Sequence, residues 1–323
     1  MYSVETLQRL CILSAQVKDF TSHNLTGGIT QMKFNLKALT VLAMAGMLTL
    51  GLMGCGNSGS SDQQAAQALK GTITSSGSSA LLPLAKEAAA EFKKKHPDVS
   101  IVLNGGGSGT GLKQVSDGTV NIGNSDVAAE TKLPKEKAAE LVDHKVAVVT
   151  VAAVANKNVG VTNLTQQQLI DIFTGKITNW KEVGGADTNV VLVTRPSTSG
   201  TRALFTEFAL NNNQEVSNKS LETDDSGALI QSISNTPGAI GYVALPYLLN
   251  NTSVAPMSID GVAPSLENTY NGTYKVWGYE HMYTKGQPDA VQKAYLDFIM
   301  SDEFGKILEQ KGYGIASKIK TGK

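Results

Sequence analysis

Apolar residues in this chain fall into two alternating rhythms, one of period two and one of helical period. The first unit begins with a β-type run, Gly71-Thr-Ile-Thr-Ser-Ser-Gly77, followed by a Ser/Gly turn. Leu84, Ala88 and Phe92 then recur at helical spacing until His96-Pro97 stops the segment. Ser100 to Leu103 reads as a second strand, Asn104 to Gly111 as a Gly-rich turn, and Leu112 to Asp117 as a short helix. Val120 to Asp126 is a third strand ending in a polar corner. Three strand–turn–helix units in a row predict an α/β protein with a parallel sheet. Their turns gather at the carboxyl ends of the strands, where open α/β sheets bind ligands.

Val146 to Val154 is a nearly continuous Val/Ala run without alternation, which predicts a strand buried on both faces. Beyond it the rhythm resumes. Leu164 to Phe173 reads as a capped helix closed by Gly175, and Ile177-Thr-Asn-Trp180 follows. Val190 to Thr194 is a strand running into Arg195, and Ser199-Gly200-Thr201 opens a helix carrying Leu204, Phe205 and Phe208. Ser226 to Ser234 is a short helix, and Thr236 to Val243 turns into a strand. Asn250 to Thr273 is polar and irregular, and Tyr274 to Tyr283 has β character. Asp289 to Lys311 is expected as one long amphipathic helix through Val291, Tyr295, Phe298 and Ile307.

The amino-terminal pattern is different in kind. Lys33 and Lys37 flank a 16-residue apolar run, Ala38 to Met53, that ends in Leu52-Met53-Gly54-Cys55. Such a run is short for a membrane span and closes on a processing-type sequence. Leu-x-Gly-Cys resembles the bacterial lipobox, which implies a signal peptide over residues 32–54 and a diacylated Cys55. An uncleaved anchor helix is the alternative. Residues 1–31 lack signal character and Met32 stands where the signal would start, so they read as a non-native upstream extension, with a genuine extension left open. Residues 55–69 are small and polar, a flexible tether.

Charge is balanced at 28 basic against 28 acidic side chains, which implies neither nucleic acid nor an anionic membrane surface as a partner. Removal of residues 1–54 takes four basic and two acidic residues with it, leaving 24 against 26. Cys55 is then the only cysteine, so the exported body has no disulfide and depends on its core.

Candidate chemistry sits at the corners. A strand feeding a helix through small residues points free backbone N–H groups at one spot, and hydroxyls add donors. Arg195 supplies a permanently charged fork suited to a tetrahedral oxyanion. An ordinary turn with a Ser cap and a surface Arg would leave the same pattern. The Gly-rich corner fails the nucleotide-loop pattern, because Leu112 intervenes between Gly111 and Lys113. Neither a G-x-S-x-G elbow nor metal-ligand spacing around His23, His96, His144 or His281 occurs. A secreted phosphatase would need such a nucleophile or metal, and an adhesive surface protein would leave the converging donors unexplained.

Leu164-Thr-x3-Leu169, Ile172-Phe-Thr-Gly-Lys-Ile-Thr-Asn-Trp180, Arg195-x3-Ser199-Gly-Thr and Thr236-Pro-Gly-Ala-Ile-Gly-Tyr242 together resemble the phosphate-binding lipoproteins of bacterial phosphate ABC importers. The likeness runs from about Leu69 to Ser317. It implies a type II periplasmic-binding-protein-like fold: two α/β domains joined by two crossing strands, with the ligand in the cleft. Domain I would be 70–153 with 276–323, and domain II 154–275. The first crossing would lie in Val146–Val154 and the return near Lys275 to Tyr279.

The resemblance also implies inorganic phosphate as ligand, a permease and ATPase as partners, a lipid anchor on the extracytoplasmic face, and a monomer. It implies no catalytic residue, cofactor or metal. Tungstate, molybdate and sulfate binders share this architecture and remain alternatives. Carried over, Ser79 is a hydroxyl donor, Ala80 a backbone donor and Ser108 a hydroxyl and amide donor. Asp126 accepts a proton from the ligand, Arg195 is the cationic clamp, and Ser199, Gly200 and Thr201 are helix-start donors. Asp126 as a mere turn cap is the competing reading. Some relatives have Thr and an aromatic where this chain has Ser79-Ala80, and Arg202 adds a charge of undetermined reach.

Overall fold

The computed structural model describes residues 69–216 and 220–320; the expected signal and tether, with Cys55, lie outside the described residues, Leu69 excepted. Two stretches of the sequence set up the centre of the sheet. β4 (Leu141–Asn156) contains the Val/Ala run and is longer than that run at both ends. β9 (Trp277–Lys285) pairs antiparallel with Leu141 to Thr150 of β4, and its other edge pairs antiparallel with β3 (Ile122–Ser125). The rest of β4 pairs antiparallel with β7 (Ala239–Ala244) through Val151 to Ala155.

On one side of this centre β1 (Gly71–Gly77) lies parallel between β2 (Val99–Asn104) and β3, as the three repeated units predict. On the other side β5 (Val191–Thr194) lies parallel to β7 and to the short β6 (Leu221–Glu222). β8 (Val254–Pro256) pairs with the end of β4. The sheet is therefore mixed, with order β2-β1-β3-β9-β4-β7-β5-β6. Parallel pairing is confined to its two wings, because β4 and β9 pass between the wings in opposite directions.

Why β4 lacks alternation is visible in its packing. Val149, Val151, Ala153 and Ala155 enter one core with Phe173, Trp180, Phe205 and Tyr242. Ala152 and Val154 point the other way, into a core with Leu229, Ile230 and Ile233. Nearer its start Val146 and Ala147 join a third core with Phe92, Tyr295 and Phe304. Both faces are covered, so neither can be polar.

The helices follow the expected units with two differences. α1 (Leu82–Lys95) buries Leu84, Ala88 and Phe92, and α3 (Gln166–Phe173) carries a full capping box between Thr165 and Gln168. α2 (Ser108–Ser116) starts four residues earlier than expected, inside the Gly-rich turn. Glycine there serves close approach: a Cβ on Gly111 would lie 2.4 Å from the Ser76 carbonyl oxygen and 2.6 Å from Gly77 Cα. The carboxy-terminal helix is two helices, α6 (Ala290–Ile299) and α7 (Asp302–Gln310). Ser301 ends the first and caps the second, its hydroxyl accepting from the Phe304 N–H. The stretch expected to be irregular contains β8, a two-residue pairing at Ser258–Ile259 and a short helix at Leu266–Tyr270.

Packing of α2 on β1 predicts that Gly111→Ala destabilises the protein by about 2 kcal/mol or more, since backbone must move to admit the methyl. Urea unfolding measures this; a variant that melts with the parent contradicts the packing.

Candidate ligand-binding cleft

Each candidate residue sits at the carboxyl end of a strand. Ser79 and Ala80 follow β1 in the turn into α1, and Ser108 opens α2 after β2. Asp126 directly follows β3. Arg195 directly follows β5, and Ser199 is the N-cap of α4 (Gly200–Leu204), which continues through a π turn to Ala209. Asp225 caps α5 (Ser226–Asn235), so the strand–turn–helix pattern brings a further serine to the same edge.

Arg195 is 1% exposed, and its guanidinium is satisfied almost entirely by oxygens. Nε donates to the Thr223 carbonyl at 3.0 Å and one terminal nitrogen to the Asp224 carbonyl at 2.9 Å. The terminal nitrogens also donate to the hydroxyls of Ser79 at 3.2 Å and Ser226 at 3.3 Å, and those hydroxyls lie 3.1 Å apart. Burial pulls the Arg195 pKa down while the charge of Asp126 opposes the shift. Asp126 therefore lies close enough for its charge to act on Arg195.

Asp126 is also 1% exposed. Its N–H donates to the Ser108 hydroxyl at 3.0 Å, and its Oδ2 accepts from the Thr201 hydroxyl at 2.7 Å. Oδ1 is buried without a hydrogen-bond donor among the described residues. Gly200 meets this pair edge-on: a Cβ there would lie 2.2 Å from Ser108 Oγ and 2.9 Å from Asp126 Cβ. Only a residue without a side chain permits that approach. Further contacts tie the wings together: Gly109 N–H to the Thr198 carbonyl at 2.9 Å, Lys132 Nζ to the Ser197 carbonyl at 2.8 Å, and Tyr247 O–H to the Ser79 carbonyl at 2.7 Å.

The structure therefore brings Ser79 to Arg195, and Ser108 and Asp126 to Gly200 and Thr201. Ser199 and Ala80 stand slightly apart in role. The Ser199 hydroxyl accepts from the Arg202 N–H as a helix cap, and the Ala80 carbonyl accepts from the buried Tyr313 hydroxyl. Arg202 does not act as a second clamp. Its guanidinium donates to the Arg195 carbonyl and stands 3.6 Å from Glu215 Oε2, bracing the turn from behind.

Sequence reasoning missed Ser226, Tyr242, Tyr247 and Glu280. Ser226 carried the signal already used for Ser199, a small hydroxyl at a helix start after a strand. Tyr242 receives the Arg195 N–H on its hydroxyl at 3.2 Å. Glu280, on β9, is wholly buried beside Asp126, one register step beyond the His281–Ser125 pair; burial and that neighbour hold its pKa well above the ordinary range.

Comparison with known proteins now bears on this cleft. Residues 62–303 match the PBP superfamily domain. The phosphate-binding protein PstS of Bacillus subtilis is 44% identical over 289 residues, covering 87% of this chain and 94% of that protein. This chain belongs to the PstS family within the PBP superfamily. Among solved structures, a phosphate ABC transporter substrate-binding protein from Clostridium perfringens, determined with bound phosphate, is 34% identical. It superposes with a TM-score of 0.69 over 75% of this chain and 98% of that one. An ABC-type phosphate transport receptor from Vibrio cholerae is 27% identical, with a TM-score of 0.59 over 75% and 99%. In this PstS-family chain, among the described residues, no cluster of three or more His, Cys, Asp or Glu is arranged to hold a metal ion.

Glu215 generates a pH prediction. Burial pushes its carboxyl up to about 7, against the pull of Arg202. A raised folded pKa means that its stabilising share is complete below the ordinary glutamate range and is lost as pH rises through 7. Glu215→Gln should therefore gain stability over the parent between pH 5 and pH 8, by up to about 3 kcal/mol. Melting temperatures at the two pH values test it; a gain at pH 5 that vanishes at pH 8 has the wrong sign.

Proposed function

We propose that this chain is an extracytoplasmic solute-binding protein that captures inorganic phosphate in the cleft and delivers it to the permease and ATPase of an ABC transporter. The observation that carries this reading is the pairing of a buried guanidinium with a buried acceptor carboxylate in one cleft. Arg195, Ser79 and Ser226 supply donors for an anion, Thr201 adds its helix-start N–H while its hydroxyl is given to Asp126, and Asp126 supplies an acceptor for a proton on that anion. Ser108, Gly200 and the backbone at the start of α4 complete the ligand set, with Ser199 and Ala80 contributing N–H groups. The protein binds and releases; it is not an enzyme.

Donors come from both wings, so neither wing alone satisfies the anion, and closure excludes water and strengthens each charged hydrogen bond. We assign residues 70–153 with 276–323 to one domain and 154–275 to the other, with β4 and β9 as the crossings. The protein works as a monomer.

A single calorimetric titration series tests the ligand: protein stripped of phosphate, against phosphate, sulfate, molybdate and tungstate. Phosphate should bind most tightly. Near neutral pH it keeps an O–H that can donate to Asp126, whereas sulfate would leave a buried carboxylate facing a lone pair. That mismatch costs on the order of 3 kcal/mol, about a hundredfold in affinity. Asp126→Asn should erase most of this gap, because the amide can turn its N–H to a sulfate oxygen. Equal discrimination by the variant would return Asp126 to the role of a turn cap.

We further propose that residues 32–54 are removed as a signal and that Cys55 carries lipid, holding the body on its tether at the outer face of the cell membrane. Two acyl chains anchor stably where one does not. Mass spectrometry of the amino-terminal peptide from the membrane fraction should find acylated Cys55 as the first residue. A chain continuing through Met53 would overturn the anchor.

A further inference from the structure

Three carboxyl oxygens at the back of the cleft lack a donor among the described residues: Asp126 Oδ1, Glu280 Oε1 and Glu280 Oε2. Glu280 is 0% exposed, and the antiparallel register of β9 on β3 sets it beside Asp126, one step beyond the His281–Ser125 pair. Two ionised carboxylates cannot donate to each other, and in a dry site they repel. One proton between them resolves the arrangement. The register of β9 against β4 shifts between Glu280 and His281, and such bulges re-aim side chains beside functional sites. Gly278, two residues earlier on β9, is so close beneath that a Cβ there would lie 3.3 Å from the Asp126 carbonyl oxygen.

The surroundings decide which partner keeps the proton. Asp126 accepts from Thr201, and the charges of Arg195 and Lys132 both respond to it. Glu280 has Asp126 on one side and, from the segment after α7, Tyr313, whose hydroxyl is committed to the Ala80 carbonyl. Tyr247, also near Tyr313, donates to the Ser79 carbonyl. The proton therefore rests on Glu280, because burial and its acidic neighbour favour the neutral form of its carboxyl.

We propose that Glu280 is a positioning residue for ligand selection: its carboxyl donates to Asp126 Oδ1 and so holds Asp126 turned to accept the O–H of the bound anion. The proposal rests on phosphate being the ligand. Carboxylates have room for this, since Asp126 offers lone pairs to Glu280, to Thr201 and to the ligand at once.

The test uses Glu280→Gln, which keeps a donor that cannot ionise, and Glu280→Met, which removes it at similar volume. In the ligand-free protein, the melting-temperature difference between the Gln variant and the parent should grow as pH rises from 6 to 9, levelling off once folded Glu280 ionises, because the unfolded parent has given up this proton while the folded parent still holds it. In titrations with inorganic phosphate over the same range, the affinity ratio of the Gln variant to the parent should rise by about tenfold for each pH unit above the point where Glu280 ionises in the free protein. Glu280→Met should bind phosphate about tenfold or more weakly than Glu280→Gln at pH 6, having left Asp126 Oδ1 without a donor. A Gln variant that tracks the parent at every pH, in both melting and binding, overturns the proposal. So does a Met variant equal to Gln, and if Met does not fold the Gln profiles decide alone. Failure of the phosphate reading is separate and shows in the parent, as no heat on adding inorganic phosphate; it removes the selection role together with that reading.

Discussion

Burying the charge of Arg195 is the constraint from which much of this architecture follows. An ion taken out of water costs several kcal/mol unless its hydrogen bonds are replaced. A guanidinium has five N–H groups to satisfy. The chain meets four of them by bringing two carbonyls from the turn before α5, a hydroxyl from the start of α5, and a hydroxyl from the far wing at Ser79. The last of these matters most, because it makes one residue's solvation depend on two separately folded corners. Tyr242 and Arg202 then fix the backbone on which the charge is carried, one at its N–H and the other at its carbonyl.

The same logic explains why small residues crowd these corners. Gly200 can meet Ser108 and Asp126 only because it has no side chain, and Gly111 sets α2 against β1 for the same reason. Hydroxyls suit the rest: serine and threonine can donate or accept by rotating one bond, so they pair with one another or with an anion without moving the backbone. The cleft is thus built from groups whose partners are exchangeable around one charge whose partners are not.

Much of this was legible in the sequence because the corners repeat one local pattern, and local patterns survive without knowledge of the fold. Arg195 and Ser199 to Thr201 stand at a strand end and a helix start that spacing reveals, whereas Ser79, Ser108 and Asp126 were picked out of their corners by the family resemblance. Ser226 was equally legible and was passed over. Glu280 was not, since a glutamate among Tyr and His on a β-type run reads as the exposed face of a strand. Only the pairing of β9 between β3 and β4, across more than 130 residues of chain, buries it. The start of α2 was misjudged because glycines signal a turn locally, while here they serve a close contact with a distant strand. The single long helix expected near the end failed on one residue, Ser301, whose capping competes with helix continuation.

The place of β9 at the centre of the sheet also governs how the chain can acquire its shape as it emerges from a ribosome or a translocation pore. β3 and the first part of β4 bracket a gap that only residues 277–285 fill, with Met282 opposite both Asn124 and His144. Until that segment arrives, two β edges stay open and the apolar face around Ile122, Val146 and Ala147 lacks its cover from Met282 and Tyr295. Contacts separated by so much sequence are slow to form, and unpaired edges are the surfaces on which unfinished chains aggregate. An amino-terminal fragment is therefore no independent module. Its order is completed from the other end, and the protein has to be kept apart from its neighbours until nearly the last tenth of its length is free.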